Sequence, residues 1–246
     1  MDYDFRIGTA IERGFKIWVR NFVPFTFLTL LVYAPLVIWA YSITHGALQL
    51  TTLRLYVFVS AAMVAVLNIL LSAALTYGVV MELRDQRASL LGCVGVGLRR
   101  FLPTLGVTLL VVLAVLGGTV LLIVPGMIVM CMLYVAVPAS IVEKPGLVGA
   151  LRRSRQLTDG YKWHVLGLTM LVGMAPGMIN AVTRMAILGV DDRHASAAQW
   201  VHYIYVQTGV TLLFGPLGAV FPAVTYYLLR QDKEGASVHD LVRVFE

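Results

Sequence analysis

The chain has 246 residues, of which 59% are hydrophobic and 13% charged, with a formal net charge of +6. A charged fraction about half that of an ordinary soluble domain excludes a water-soluble globule with a polar shell and points to a membrane protein. A helix crossing the apolar layer needs about 20 mostly apolar residues, because that layer is about 30 Å thick.

In chain order, residues 4–20 are expected to form an amphipathic helix. Ile7, Ala10, Ile11, Gly14, Phe15 and Trp18 recur at helical spacing, with Arg6, Glu12, Arg13, Lys16 and Arg20 largely opposite. Such a helix is expected to rest in the headgroup plane with its apolar side down. The first 21 residues hold no compact apolar core with a small-residue cleavage site, so no secretory signal is expected before the first span. Six apolar segments follow, at 22–44, 55–81, 101–124, 127–142, 164–188 and 201–229. Between the third and fourth, Pro125-Gly126 predicts a tight helical hairpin turn. The expected fold class is all-α, a six-span polytopic bundle with cytoplasmic amphipathic interfacial helices.

Orientation follows from Lys and Arg, which concentrate in cytoplasmic connections. With six spans, the N-terminus, the 82–100 loop, the 143–163 loop and the C-terminus share one side, which carries sixteen of the nineteen basic residues. Only Arg54, Arg184 and Arg193 fall opposite. Both termini are therefore expected in the cytoplasm, in a bacterial plasma membrane. The basic residues form short clusters flanking spans, where anionic lipid headgroups are the nearest partner. No nucleic-acid motif is present, so nucleic acid is not expected as a partner.

A recurrence runs through the chain. Arg20 to Pro24 (RNFVP), Arg99 to Pro103 (RRFLP) and Tyr161 to His164 (YKWH) each lead into a span, and each follows a helical segment, at 7–20, 89–100 and 146–160. The chain thus reads as three units, each an interfacial helix and a two-span hairpin, or as the plain collection of Arg and aromatics at membrane entries. In the third segment Leu147, Leu151 and Ser154 share one stripe and Arg152, Arg155 and Asp159 another. Arg155 and Asp159, four apart, are placed to pair. Gly160 is a helix C-cap candidate, and Tyr161 and Trp163 fit an aromatic belt.

Four motifs now stand together: PGMI (125–128), VPASIVE (137–143), GLVGALRRS (146–154) and LTDGYKW (157–163). With YYLLRQDKEG (226–235) they resemble the membrane-domain family found attached to some glycerophosphodiester phosphodiesterases and alone in small bacterial membrane proteins. The resemblance implies a six-span bacterial membrane protein with re-entrant or interfacial cytoplasmic helices. It does not imply phosphodiesterase activity, which in the two-part members belongs to a separate soluble domain.

Catalysis needs convergent acid, base, nucleophile or metal groups, and the histidines are scattered at span ends. Asp191 to His194 (DDRH) has metal-capable residues in consecutive positions, which suits a solvated loop better than a metal site. Cys93 and Cys131 have neither disulfide nor zinc spacing. No enzyme, cofactor or metal is expected. Glu82 is expected to pair near Arg84 and Asp85, and Arg184 to reach Asp191 and Asp192. Asn68 is expected to hydrogen-bond between helices.

Two functional readings remain. The first is a scaffold or accessory subunit touching anionic lipid and a protein partner or second copy, with Arg20, Arg99, Arg100, Arg152, Arg153, Arg155 and Lys162 as headgroup contacts. The second is a transporter or lipid-handling protein with a cavity at a broken sixth span, near Asn68, Gly215, Pro216, Gly218 and Pro222, since broken helices can line binding sites. An intramembrane hydrolase ranks last.

Overall fold

A computed structural model describes residues 5–44, 50–83, 86, 89–189 and 195–235. Its described elements are all α-helices: α1 (Ile7–Arg20), α2 (Phe22–Thr44), α3 (Leu50–Glu82), α4 (Leu90–Leu121), α5 (Ile123–Leu133), α6 (Ala136–Val142), α7 (Leu147–Thr158), α8 (Lys162–Leu188), α9 (Ala197–Phe214) and α10 (Leu217–Glu234). Six segments are long and apolar enough to cross a membrane: Phe22–Ser42, Phe58–Glu82, Leu90–Leu121, Ile123–Val142, Lys162–Leu188 and Ala198–Glu234. The chain has the architecture of an all-α, multi-pass membrane protein.

Several boundaries differ from the sequence expectation, each for a local reason. The helical segment expected at 89–100 and the span expected from 101 form one helix, since α4 runs unbroken through Pro103 to Leu121. Ser89 starts it, its hydroxyl accepting the Gly92 N–H at 3.0 Å. The hairpin turn sits at Leu122, not at Pro125-Gly126, which occupy the first turn of α5. Proline is tolerated there because a first-turn amide lacks an intrahelical partner in any case. The fourth span bends at Tyr134 and Val135, which separate α5 from α6.

The last span divides at Gly215 and Pro216, as the glycine and proline there lead one to expect, while Pro222 lies inside α10 without ending it. Both break residues keep near-helical dihedrals, so the break is a kink. A side chain at Gly215 would stand 2.5 Å from the Thr211 carbonyl oxygen, which explains glycine at that point.

α10 is the centre of the packing. From Ala219 to Leu229 every residue except Pro222 is buried, and α1, α3, α6, α7 and α8 all pack on it. The apolar face of α1 therefore turns toward protein, with Ala10, Gly14, Ile17 and Trp18 buried, while Phe15 stays exposed. Phe5 joins the same core, its ring 5.5 Å from that of Tyr161.

Gly14 allows the closest approach, since a Cβ there would meet the buried Phe221 ring at 2.7 Å. Gly14→Ala is expected to cost about 1–3 kcal/mol through overpacking. Gly8→Ala on the same helix meets nothing within 4 Å and should raise stability by up to about 1 kcal/mol. Unfolding midpoints in detergent compare the two.

Candidate functional site

The described polar residues converge most densely where α6, α7 and α10 meet. Glu143, which follows α6, accepts a hydrogen bond from the Tyr226 hydroxyl at 2.6 Å and one from Arg153 Nε at 2.9 Å. Arg153 reaches Glu234 with its Nη2 at 2.5 Å, and Arg230 Nε lies 3.0 Å from the other Glu234 oxygen. Arg230 also donates to the Tyr226 hydroxyl at 3.3 Å. Two carboxylates and two guanidiniums thus neutralise one another across three helices. Burial by itself lowers the Arg153 pKa, but the hydrogen bonds and charges of Glu143 and Glu234 outweigh it and raise the value.

Nearby, Lys233 closes the end of α7 by donating to the carbonyls of Gln156 and Asp159 at 2.9 and 2.6 Å. Ser154 and Thr158 donate to the Met132 carbonyl at 2.8 and 3.3 Å, which fixes α7 against the end of α5. The inward stripe of α7 is accordingly Ala150, Ser154, Leu157 and Thr158, while Leu147 is exposed. Asp159 pairs with Lys162 at 3.3 Å in place of the expected Arg155, because the backbone turns extended at Asp159 and leaves the helix. The Lys162 hydrogen bond and charge hold its carboxyl below the usual range. Gly160 follows with φ of +85°, the positive value that favours glycine.

The expected headgroup residues divide into two groups. Arg153 is enclosed in the ion-pair network, and Arg20 pairs with Glu82 at 2.9 Å while remaining largely exposed. Arg99, Arg152 and Arg155 are exposed and Arg100 half-buried, and none forms an ion pair with a described residue. The expected partners Arg84, Asp85, Asp191 and Asp192 lie outside the described residues, as does the whole DDRH stretch.

Asn68 differs from expectation. It is exposed on α3 and makes no hydrogen bond with a described residue, because its face of the helix meets no neighbouring span. Gly215, Pro216, Gly218 and Pro222 form the kink and the start of α10, with Pro216 buried. They line neither of two cavities found elsewhere among the described residues.

One cavity, of about 340 Å³, lies higher on α9, between Trp200 and Thr211, and extends to Leu36, Ser60, Val64 and Arg184. Gln207 contributes a buried amide oxygen with no hydrogen-bond partner. The other is an almost wholly apolar groove of about 320 Å³ between α5 and α8, lined by Val124, Met127, Ile128, Cys131 and Leu166. Lys162 and Trp163 stand at one end of it. Cys93 and Cys131 are free and buried. No group of three His, Cys, Asp or Glu able to hold a metal occurs among the described residues.

Sequence reasoning missed the network partners Glu143, Tyr226, Arg230 and Glu234 and the α5–α8 groove. A signal was present all the same, because VPASIVE, GLVGALRRS and YYLLRQDKEG, three of the five stretches carrying the resemblance, are those the network joins. Comparison of the chain with protein-family models, curated proteins and solved structures gives no match.

Proposed function

We propose that the protein is a non-enzymatic membrane scaffold or accessory subunit that holds an anionic lipid at its basic face, with that face and both termini cytoplasmic in a bacterial inner membrane. The α5–α8 groove carries this reading. Its apolar walls suit an acyl chain, and Lys162 at its end suits a phosphate-bearing headgroup, with Trp163 at the boundary. Arg152 and Arg155, exposed on the adjoining α7 and without ion pairs to described residues, extend the same charge. The likeness to the membrane domains of glycerophosphodiester phosphodiesterases is compatible with this role and forms part of the proposal.

The partner half of the proposal rests on α3. Ala61, Ala65 and Asn68 lie on one exposed, small-residue stripe, the kind of surface that lets a second transmembrane helix approach closely and hydrogen-bond. A membrane-protein subunit or a second copy of this chain is the expected occupant.

Native mass spectrometry of the protein released from nanodiscs tests the lipid half. Replacing Arg152, Arg155 and Lys162 by Ala is expected to reduce retained phosphatidylglycerol by about fivefold per charge, with phosphatidylethanolamine unchanged. Equal retention of phosphatidylglycerol by the triple variant would sink the lipid reading. Arg153 is left intact, because its removal would disturb the fold.

The cavity on α9 favours a second reading, a transporter or lipid-handling protein. A buried unpaired amide oxygen beside Arg184 is a polar site within an otherwise apolar bundle. That reading predicts a co-purifying solute that Gln207→Leu no longer retains.

A further inference from the structure

The turn joining α4 to α5 is unlike its counterparts. Val120, Leu121, Leu122, Ile123 and Val124 are 85, 76, 69, 71 and 62% exposed, and no charged side chain occurs among them. The connections 45–49 and 189–196, by contrast, contain His45 and Gln49, and Asp191, Asp192, Arg193 and His194. A turn immersed in water gains nothing from five exposed aliphatic side chains in a row.

Its backbone amides are largely accounted for. Leu122 is the single residue between the two helices, with φ of −166° and ψ of 154°. Its N–H donates to the Gly118 carbonyl at 3.1 Å, and its carbonyl accepts the Gly126 N–H at 3.3 Å. A helix start ordinarily leaves about four amides without partners. Here Leu122 has one, Pro125 has no N–H, and only Ile123 and Val124 remain. The neighbouring Thr119 hydroxyl is also used, donating to the Val115 carbonyl at 2.8 Å. Such economy matters where water is absent, because each unpaired polar group costs several kcal/mol in hydrocarbon.

Length points the same way. The Met132 carbonyl is bonded by Ser154 and Thr158 of α7, the helix that carries the exposed Arg152 and Arg155 and so belongs at the polar boundary. From there back to Leu122 the chain has about 15 Å of helix, at about 1.5 Å per residue. That is half of the roughly 30 Å apolar layer.

We infer that the α4–α5 hairpin enters the membrane from the basic face and turns inside the hydrocarbon, so that its tip is a wedge whose partner is lipid acyl chains. A hairpin that turns within the layer leaves by the face it entered. The division of basic residues between the two sides is therefore unchanged, and both termini stay on the basic side. The inference does not depend on the headgroup reading, since it concerns a different part of the surface and a different portion of the lipid.

Site-directed labelling of the full-length chain in proteoliposomes tests it. Leu122→Cys is compared with Ala198→Cys, near the α8–α9 connection, and Gln156→Cys, on the basic face, with the unsubstituted chain as the blank for the buried native cysteines. A charged maleimide is supplied on both sides of the membrane. Leu122→Cys should react at least about tenfold more slowly than either control, as expected for a thiol without access to water. A bimane attached there in detergent before reconstitution should be quenched by phospholipid brominated along the acyl chain. Reaction at the rate of Ala198→Cys would overturn the inference by placing the tip in water. Slow reaction without quenching would overturn it by placing the tip against protein, whether a second copy or another subunit. Should Leu122→Cys fail to fold, Ile123→Cys, equally exposed, gives the same comparison.

Discussion

Glu143→Ala is expected to cost about 2–4 kcal/mol of stability, because removing one partner of a mostly buried ion pair leaves the others charged and uncompensated. Glu143 accepts from Arg153 and Tyr226, and Arg230 lies 3.9 Å away. Without it, two guanidiniums that are 19 and 15% exposed have Glu234 as their one counter-charge among the described residues. Tyr226→Phe removes one hydrogen bond and should cost only about 1 kcal/mol. The double variant should cost less than the sum, since both substitutions act on one network. Unfolding midpoints in a mild detergent measure all three. A loss within about 0.5 kcal/mol for Glu143→Ala, as is usual for surface positions, would show that the network does not hold α6, α7 and α10 together.

The second large effect is expected at the hairpin. A Cβ on Gly126 would run into the Thr119 hydroxyl and stand 2.9 Å from the Thr119 Cα and backbone nitrogen. Backbone cannot rotate aside as a side chain can, so α4 and α5 must separate. Gly126→Ala should therefore destabilise by about 3 kcal/mol, the upper end of ordinary overpacking costs. Gly117→Ala supplies the contrast, because that position meets nothing within 4 Å. It should be neutral or stabilising by up to about 1 kcal/mol, from helix propensity alone. Equal effects at Gly117 and Gly126 would rule out close helix contact as the cause.

The apolar segments were legible in sequence because hydropathy is a local property: twenty apolar residues in a row need no knowledge of what they touch. Turn chemistry was legible in part. Gly160 sits at a helix end with positive φ, as expected of a glycine that follows a helical stripe. Pro125-Gly126 misled because both residues have a second use, one fitting a helix's first turn and the other admitting a neighbouring backbone. Side-chain partners were the least legible. Arg155 and Asp159 are close in sequence yet do not pair, whereas Tyr226 and Glu143 are separated by 83 positions and do. Such a pairing depends on how α6 and α10 pack, which no window of sequence contains. Gly215 and Pro216 mark where the last span kinks, whereas the cavity beside α9, lined also by residues of α2, α3 and α8, left no local mark in the sequence.

The position of α10 bears on the order in which the protein can be built. It is the last described helix in the chain and also the one that α1, α3, α6, α7 and α8 pack around. During synthesis the earlier helices reach the membrane first, at about 5–20 residues per second. For several seconds the nascent chain therefore holds a vacant centre where Val220, Val224 and Leu229 will lie, all at 0% exposure in the finished structure. Assembly must wait for its keystone, and an insertase or chaperone able to shield that gap would act in this interval.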